Sequence, residues 1–246
     1  MRANQSSTQT EPAIERKITS STTIVLRGTD AVAGTPLFAI NWFNTRWAGL
    51  YHFYNFLAAS SLFRIGGKVF FKGRVIEMLR GDPSLARDHL LIVNYPSADA
   101  FLNLVAGRYF QIISVFRMLA VRDFSFVFHR RVNGPSILKE ERQIFDESKA
   151  YAILLFRSSS PLTECLQALE PVLSEQSIHF SSERSVTMTI EGKNGKSQEM
   201  PYVTEKVLLF VADDISTLKQ MLTLDQFTQA IAGFHDVFLA TIRRTM

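Results

Sequence analysis

The sequence has one cysteine, Cys165, in 246 residues. An internal disulfide framework and a multi-cysteine metal site are therefore excluded, and a reducing cytoplasm is the expected location. Long apolar runs are also missing. The longest, 101–121, is interrupted by Asn103, Arg108, Gln111 and Arg117, so no spanning segment and no membrane partner are expected. The first residues are polar and lack the apolar core of a signal peptide. Clustered Lys/Arg tracts are absent, so nucleic acid is not an expected partner. There is no Gly-x-Gly-x-x-Gly, Walker loop, His-Glu-x-x-His or Gly-x-Ser-x-Gly. The histidines, His52, His89, His129, His179 and His235, show no metal-ligand spacing, so no metal is expected.

What is present is an ordinary globular composition, 46% hydrophobic and 20% charged, with net charge +4. The charge is uneven. Residues 36–132 hold 12 Lys/Arg against 5 Asp/Glu, and residues 150–246 hold 8 against 11. A basic half beside an acidic half suggests mutual docking or an anion site in the first half.

Hydrophobic period and turn residues divide the chain into an N-terminal arm over 1–35, expected to be largely disordered but with a short strand or docked segment over 22–27, a unit over 36–132, a linker over 133–149 and a second unit over 150–246. In the first unit, 37–43 reads as a strand apolar on both faces. An aromatic helix follows over 46–63, with phenylalanines beyond one stripe, so it needs covering on more than its sheet side. Gly66-Gly67 stops it. Strands follow over 68–79, where Gly73 marks a bulge or close approach, and over 90–95, where Pro96-Ser97 ends the strand and caps a helix. That helix carries a possible break at Gly107, and 123–129 closes the unit. The order βαββαβ is the ferredoxin-like unit. The linker carries one helical piece, 137–147. The second unit repeats the order: strands over 151–156, 185–191, 202–212 and 238–243, helices from Leu162 and over 215–233. Phe38–Phe43 matches Tyr151–Phe156, Leu90–Val93 matches Leu208–Val211, Tyr109 falls on Phe227, and Arg130-Arg131 matches Arg243-Arg244. A repeat of this length is a duplicated domain rather than a solenoid.

Gly66-Gly67, Gly73, the Leu91–Ser97 segment and Tyr109 together resemble the dimeric α/β-barrel superfamily, closest to its small uncharacterised bacterial branch. The resemblance covers 36–132 well and 150–246 by pattern. It implies an α+β fold in which two ferredoxin-like repeats pack sheet to sheet as a barrel within one chain. It also implies that any chemistry is cofactor-independent oxygenation, cyclisation or isomerisation of the kind used in bacterial secondary metabolism. Asn94-Tyr95 stands where that branch shows an acidic residue and Phe, so no role for that carboxylate carries over. Haem-using members exist, and a proximal histidine would have to be His129 or His235. No cofactor is expected.

Asn41 and Asn94 interrupt apolar strands and, as buried amides, need partners across the sheet or in a pocket. His52, in the aromatic helix, is the candidate general base. Tyr54, Arg64, Arg117 and His129 are further candidates for holding an acid or carbonyl, although a lone arginine in an apolar helix such as Arg117 usually snorkels to the surface. Two functions follow. One is a binder, or a cofactor-independent enzyme, acting on a hydrophobic carbonyl or acid compound in the first repeat. The other is a non-catalytic assembly module whose aromatic helix, 47–63, is a protein interface. Homo-oligomers fit either, and the sequence leaves catalysis open.

Overall fold

The computed structural model describes residues 11–32, 34–132, 148–173, 178–192, 196–201 and 204–245. It opens on a hairpin of β1 (Ala13–Thr19) and β2 (Thr22–Gly28). Of the arm expected to be largely disordered, 13–19 forms a strand instead, and 22–28 forms the strand that is one of the two readings of 22–27. Ile14, Arg16 and Ile18 point inward in strict alternation with exposed neighbours. Two apolar residues are a weak period in a polar stretch, and the strand is held instead by β2, which in turn pairs with the second half of the chain. The helical piece expected at 137–147 lies outside the described residues, as do residues 1–10.

The first half runs β3 (Leu37–Thr45), α1 (Ala48–Arg64), β4 (Lys68–Arg80), β5 (His89–Tyr95), α2 (Ala98–Ala106), α3 (Arg108–Ala120) and β6 (Val121–Arg131). The second runs β7 (Ala150–Arg157), α4 (Leu162–Leu169), β8 (Ile178–Gly192), β9 (Ser197–Glu199), β10 (Lys206–Ala212), α5 (Ile215–Thr223), α6 (Asp225–Ala230) and β11 (His235–Arg244). Local chemistry sets the ends. Gly66 takes a positive φ of 74° just beyond α1, where a side chain would be strained. The Ser97 hydroxyl accepts from Ala100 N at 3.1 Å and starts α2. Gly107, extended at ψ 128°, separates α2 from α3. No described helix is long and apolar enough to cross a membrane.

The sheet order is β8-β10-β7-β11-β4-β5-β3-β6, and β6 pairs back onto β8, so eight antiparallel strands close into a barrel. Closure removes the edges that an open sheet would expose. Alternation along each strand sorts side chains between inside and outside. Phe38, Ile40 and Trp42 point inward with Phe71, Phe180 and Phe238, and these fill the barrel interior with side chains from both halves. Leu37, Ala39 and Phe43 point outward, toward the helices. In the second half α4, α5 and α6 pack on the outward face through Leu154, Phe156, Leu166, Phe210 and Phe227.

Asp123 and Asp236, at the starts of β6 and β11, are the non-glycine residues with positive φ (50° and 48°) among the described residues.

Candidate functional site

In the first half the helix layer does not close on the sheet. A cavity of about 760 Å³ lies between α1, α3 and the outward face of β3, β5 and β6. The β1–β2 hairpin and the far end of β8 supply another wall, through Ile18, Ile24, Met188 and Ile190. The cause is in α1. Its bulky aromatics, Phe53, Phe56 and Phe63, face solvent, while Asn55, Ala58 and Ala59 face the sheet beside Tyr51 and Tyr54. Small inward residues hold the helix off the sheet without filling the gap. The volume is in the range of small-molecule sites.

The wall is mostly apolar, and its polar groups are few and specific. Arg117 on α3 and Lys72 on β4 both line the cavity, and none of its lining residues is acidic. The Arg117 guanidinium lies over the Phe124 ring, 4.7 Å from its centroid, and its buried Nε has no hydrogen-bond partner. Lys72 Nζ stands 5.6 Å from the Tyr51 ring centroid, and burial pushes its pKa down. Burial raises the phenols of Tyr51, Tyr54 and Tyr95, so all three stay neutral hydrogen-bond donors at neutral pH. Asn55 stands beside the Tyr51 hydroxyl, yet the buried Tyr51 OH and Asn55 Nδ2 both lack a partner of good geometry. Asn41 lines the cavity from β3. Its Nδ2 donates to the carbonyls of Ala39 and Leu91 at 3.2 and 3.1 Å, which turns its amide oxygen away from those bonds.

Of the residues singled out from sequence, the structure brings Asn41, Tyr54 and Arg117 together at this cavity. Asn94 is on the other face of its strand: Leu91, Val93 and Tyr95 face the helices, Leu90 and Ile92 face the barrel, and Asn94 alternates with them. Arg64 ends α1, exposed and away from the cavity lining. His52 is exposed on α1 and does not line the cavity, so no wall of the site presents it as a base. His129 is wholly buried at the barrel end, with Nδ1 3.0 Å from Ser182 Oγ. Desolvation there pushes its pKa down to about 3. His235 is exposed at the start of β11. Neither histidine faces a space that would take a haem, since the barrel interior is filled, so these residues do not fit that group. No group of three or more metal-ligating side chains occurs among the described residues.

Sequence reasoning missed Lys72, Tyr51, Tyr95 and the whole hairpin wall. The strand period was the available signal for Lys72, which lies between the buried Phe71 and Gly73 and faces the opposite way.

No family model matches the chain, and no curated protein matches it. Several solved structures are similar to it. A protein of unknown function from Rhodopseudomonas palustris is 25% identical with a TM-score of 0.38, over 40% of this chain and 83% of that one. A proposed monooxygenase from Lactobacillus acidophilus is 10% identical with a TM-score of 0.46, over 85% and 93%. An anthrone oxidase-like protein is 11% identical with a TM-score of 0.46, over 90% and 94%. With TM-scores below 0.5 for these three, the function has to be read from this chain's own side chains.

Proposed function

We propose that the protein binds an apolar small molecule with a carboxylate or carbonyl head in the first-half cavity. One observation supports this most directly: a mostly apolar cavity holds two cations, Arg117 and Lys72, and no carboxylate to neutralise them. Arg117 is only partly exposed, and its buried, unbonded Nε is costly unless an acceptor completes it. A carboxylate or carbonyl oxygen at Arg117, with Tyr54 and Asn55 as further donors, supplies that acceptor. The apolar walls take the rest of the ligand. Binding is favoured over catalysis because the candidate base, His52, is outside the cavity.

The two halves are read as copies of one ferredoxin-like unit, as found in the dimeric α/β-barrel superfamily. Each has its second, third, first and fourth strands side by side in that order. Each breaks its second helix, at Gly107 and at Leu224, and each begins its last strand on a positive-φ aspartate. The position of Asn41 in the first copy is held by Leu154 in the second, where it packs in the cluster beneath the helices.

The test is calorimetric titration with dodecanoate, dodecanol and dodecylamine. The acid is expected to bind at least tenfold more tightly than the amine, and Arg117→Met should remove that preference. Equal affinity for acid and amine, or an Arg117→Met variant that binds the acid as before, would overturn the reading.

A further inference from the structure

None of the described residues covers the outer face of the α1–α3 pair. Of fifteen exposed large hydrophobic residues among those described, nine lie on these two helices or at Trp47, the N-cap of α1, and this decides where an apolar partner would sit. Phe56 and Phe63 are 78% and 76% exposed, and Ile112 and Met118 are 66% and 65% exposed. Nine such side chains present roughly 1,000 Å² of apolar surface, well above the few hundred Å² that monomers ordinarily show.

The helices run antiparallel, side by side. Arg46 N donates to the Ala120 carbonyl at one end, the Phe53 and Phe116 rings meet 5.5 Å apart, and the Tyr109 hydroxyl donates to the Leu57 carbonyl toward the other. This puts Arg46 and Arg122 at one end of the patch, and Arg64 and Arg108 at the other, all four exposed. Neither helix contains an acidic residue. Arg46, Arg64 and Arg108 make no ion pair among the described residues, and Arg122 reaches only its neighbour Asp123, at 3.8 Å.

We propose that this face docks on a membrane surface that carries anionic lipid. A second copy of the chain meets the area requirement of a stable interface. Docked face to face, however, it would bring arginine ends together with no carboxylate on either helix to pair them. An anionic bilayer surface suits both features. Aromatic and aliphatic side chains enter the headgroup boundary, and arginines at both ends reach phosphates along their aliphatic stems. The absence of a spanning helix has no bearing on a helix pair that lies in the interface. Ala59 on α1 and Met118 on α3 are exposed and also line the cavity, so the cavity reaches the surface at both helices. On the ligand reading given above, an apolar acid would pass there between lipid and cavity. The docking itself does not depend on that reading.

Flotation of the full chain with vesicles of phosphatidylcholine, with and without 30% phosphatidylglycerol, tests the proposal, alongside dodecanoate titration in vesicle-free buffer. The expected result is binding to the anionic vesicles, at least tenfold weaker to neutral ones and weakened by 0.5 M salt. Phe56→Ser with Phe63→Ser should cut binding at least tenfold without changing the melting temperature by more than a few degrees or altering dodecanoate affinity, since neither residue lines the cavity. Arg64→Gln with Arg108→Gln should reduce only the preference for anionic vesicles. Absence of vesicle binding overturns the proposal, as does undiminished binding by the folded double-serine variant. A dimer in light scattering that the serine substitutions dissociate, with no vesicle binding, would assign the face to protein contact instead. Loss of dodecanoate binding alone would sink the ligand reading and leave the docking result standing.

Discussion

Asn41, Asn94 and Arg117 each put a polar group into an apolar element, and two of the three, Asn41 and Arg117, end at the cavity. Strand alternation sends Asn41 to the cavity and Asn94 to the barrel side. Nothing in the local sequence says which face of a doubly apolar strand will be left unfilled, so the two amides could not be told apart beforehand. Arg117 has a stem long enough to reach solvent, yet Phe124 holds it inward. Substituting Asn41→Leu, the residue found at the matching position 154, should keep stability within about 1 kcal/mol, because the amide bonds only backbone carbonyls, each of which can also accept elsewhere. Dodecanoate affinity should fall, and urea titration with calorimetry would read both. His129 has a different consequence. Its folded pKa, near 3, lies below that of an unfolded histidine near 6.5, so the unfolded chain binds the extra proton between those values. Stability is therefore complete above about pH 6.5 and falls as pH drops, with a slope of at most roughly 1.4 kcal/mol per pH unit from this group. His179, pushed down to about 4 by burial, adds in the same direction. Denaturant unfolding from pH 7 to pH 4 should show the decline, and His129→Gln should flatten it. An unchanged slope in that variant would contradict the assignment.

At the level of elements, the punctuation was readable and the faces were not. The glycine stop after α1, the Ser97 cap and the break at Gly107 follow from residue chemistry alone. So does the close approach at Gly73, where an added Cβ would fall 2.3 Å from Ile242 Cγ2 and 3.2 Å from the Arg243 carbonyl. Gly73→Ala should therefore destabilise the β4–β11 pairing by about 1–3 kcal/mol, seen as a lower urea midpoint. The α1 helix carries aromatic residues all round, so its periodicity could not show that the smaller ones would face the sheet. The β1 strand was hidden for the opposite reason: it has too few apolar residues to signal burial, and it is held by β2, which pairs with β8, more than a hundred residues away. Filling the gap that α1 leaves should be favourable. Ala58→Leu is expected to raise stability by roughly 1 kcal/mol, from added apolar burial, while weakening dodecanoate binding. A variant that binds as before would mean that the ligand sits elsewhere.

Across the whole molecule, the α+β class was legible because helix and strand periods alternate cleanly. The closed barrel was legible only as an implication of apolar residues on both sheet faces. The structure makes each half depend on the other. Phe38, Ile40 and Phe71 of the first half pack on Phe180, Leu209 and Phe238 of the second. The seams β6–β8 and β11–β4 then complete the hydrogen bonding. Residues 36–132 expressed alone should show no cooperative melting as a monomer, and should recover it on mixing with residues 148–246. A cooperative monomeric half would show that the barrel interior contributes less than its packing implies.

That closure within one chain has a consequence for how the protein can change. When two identical chains build a barrel, every substitution is made twice, and a helix that pulls away from one sheet pulls away from the other. Here the outward face of the second half can stay packed, with Phe156 stacked on Phe234 at 4.3 Å, while the first half opens a chamber behind α1. The filled half carries the stability that the hollow half gives up, so the walls of the chamber are free to vary for different guests without unsettling the barrel beneath them.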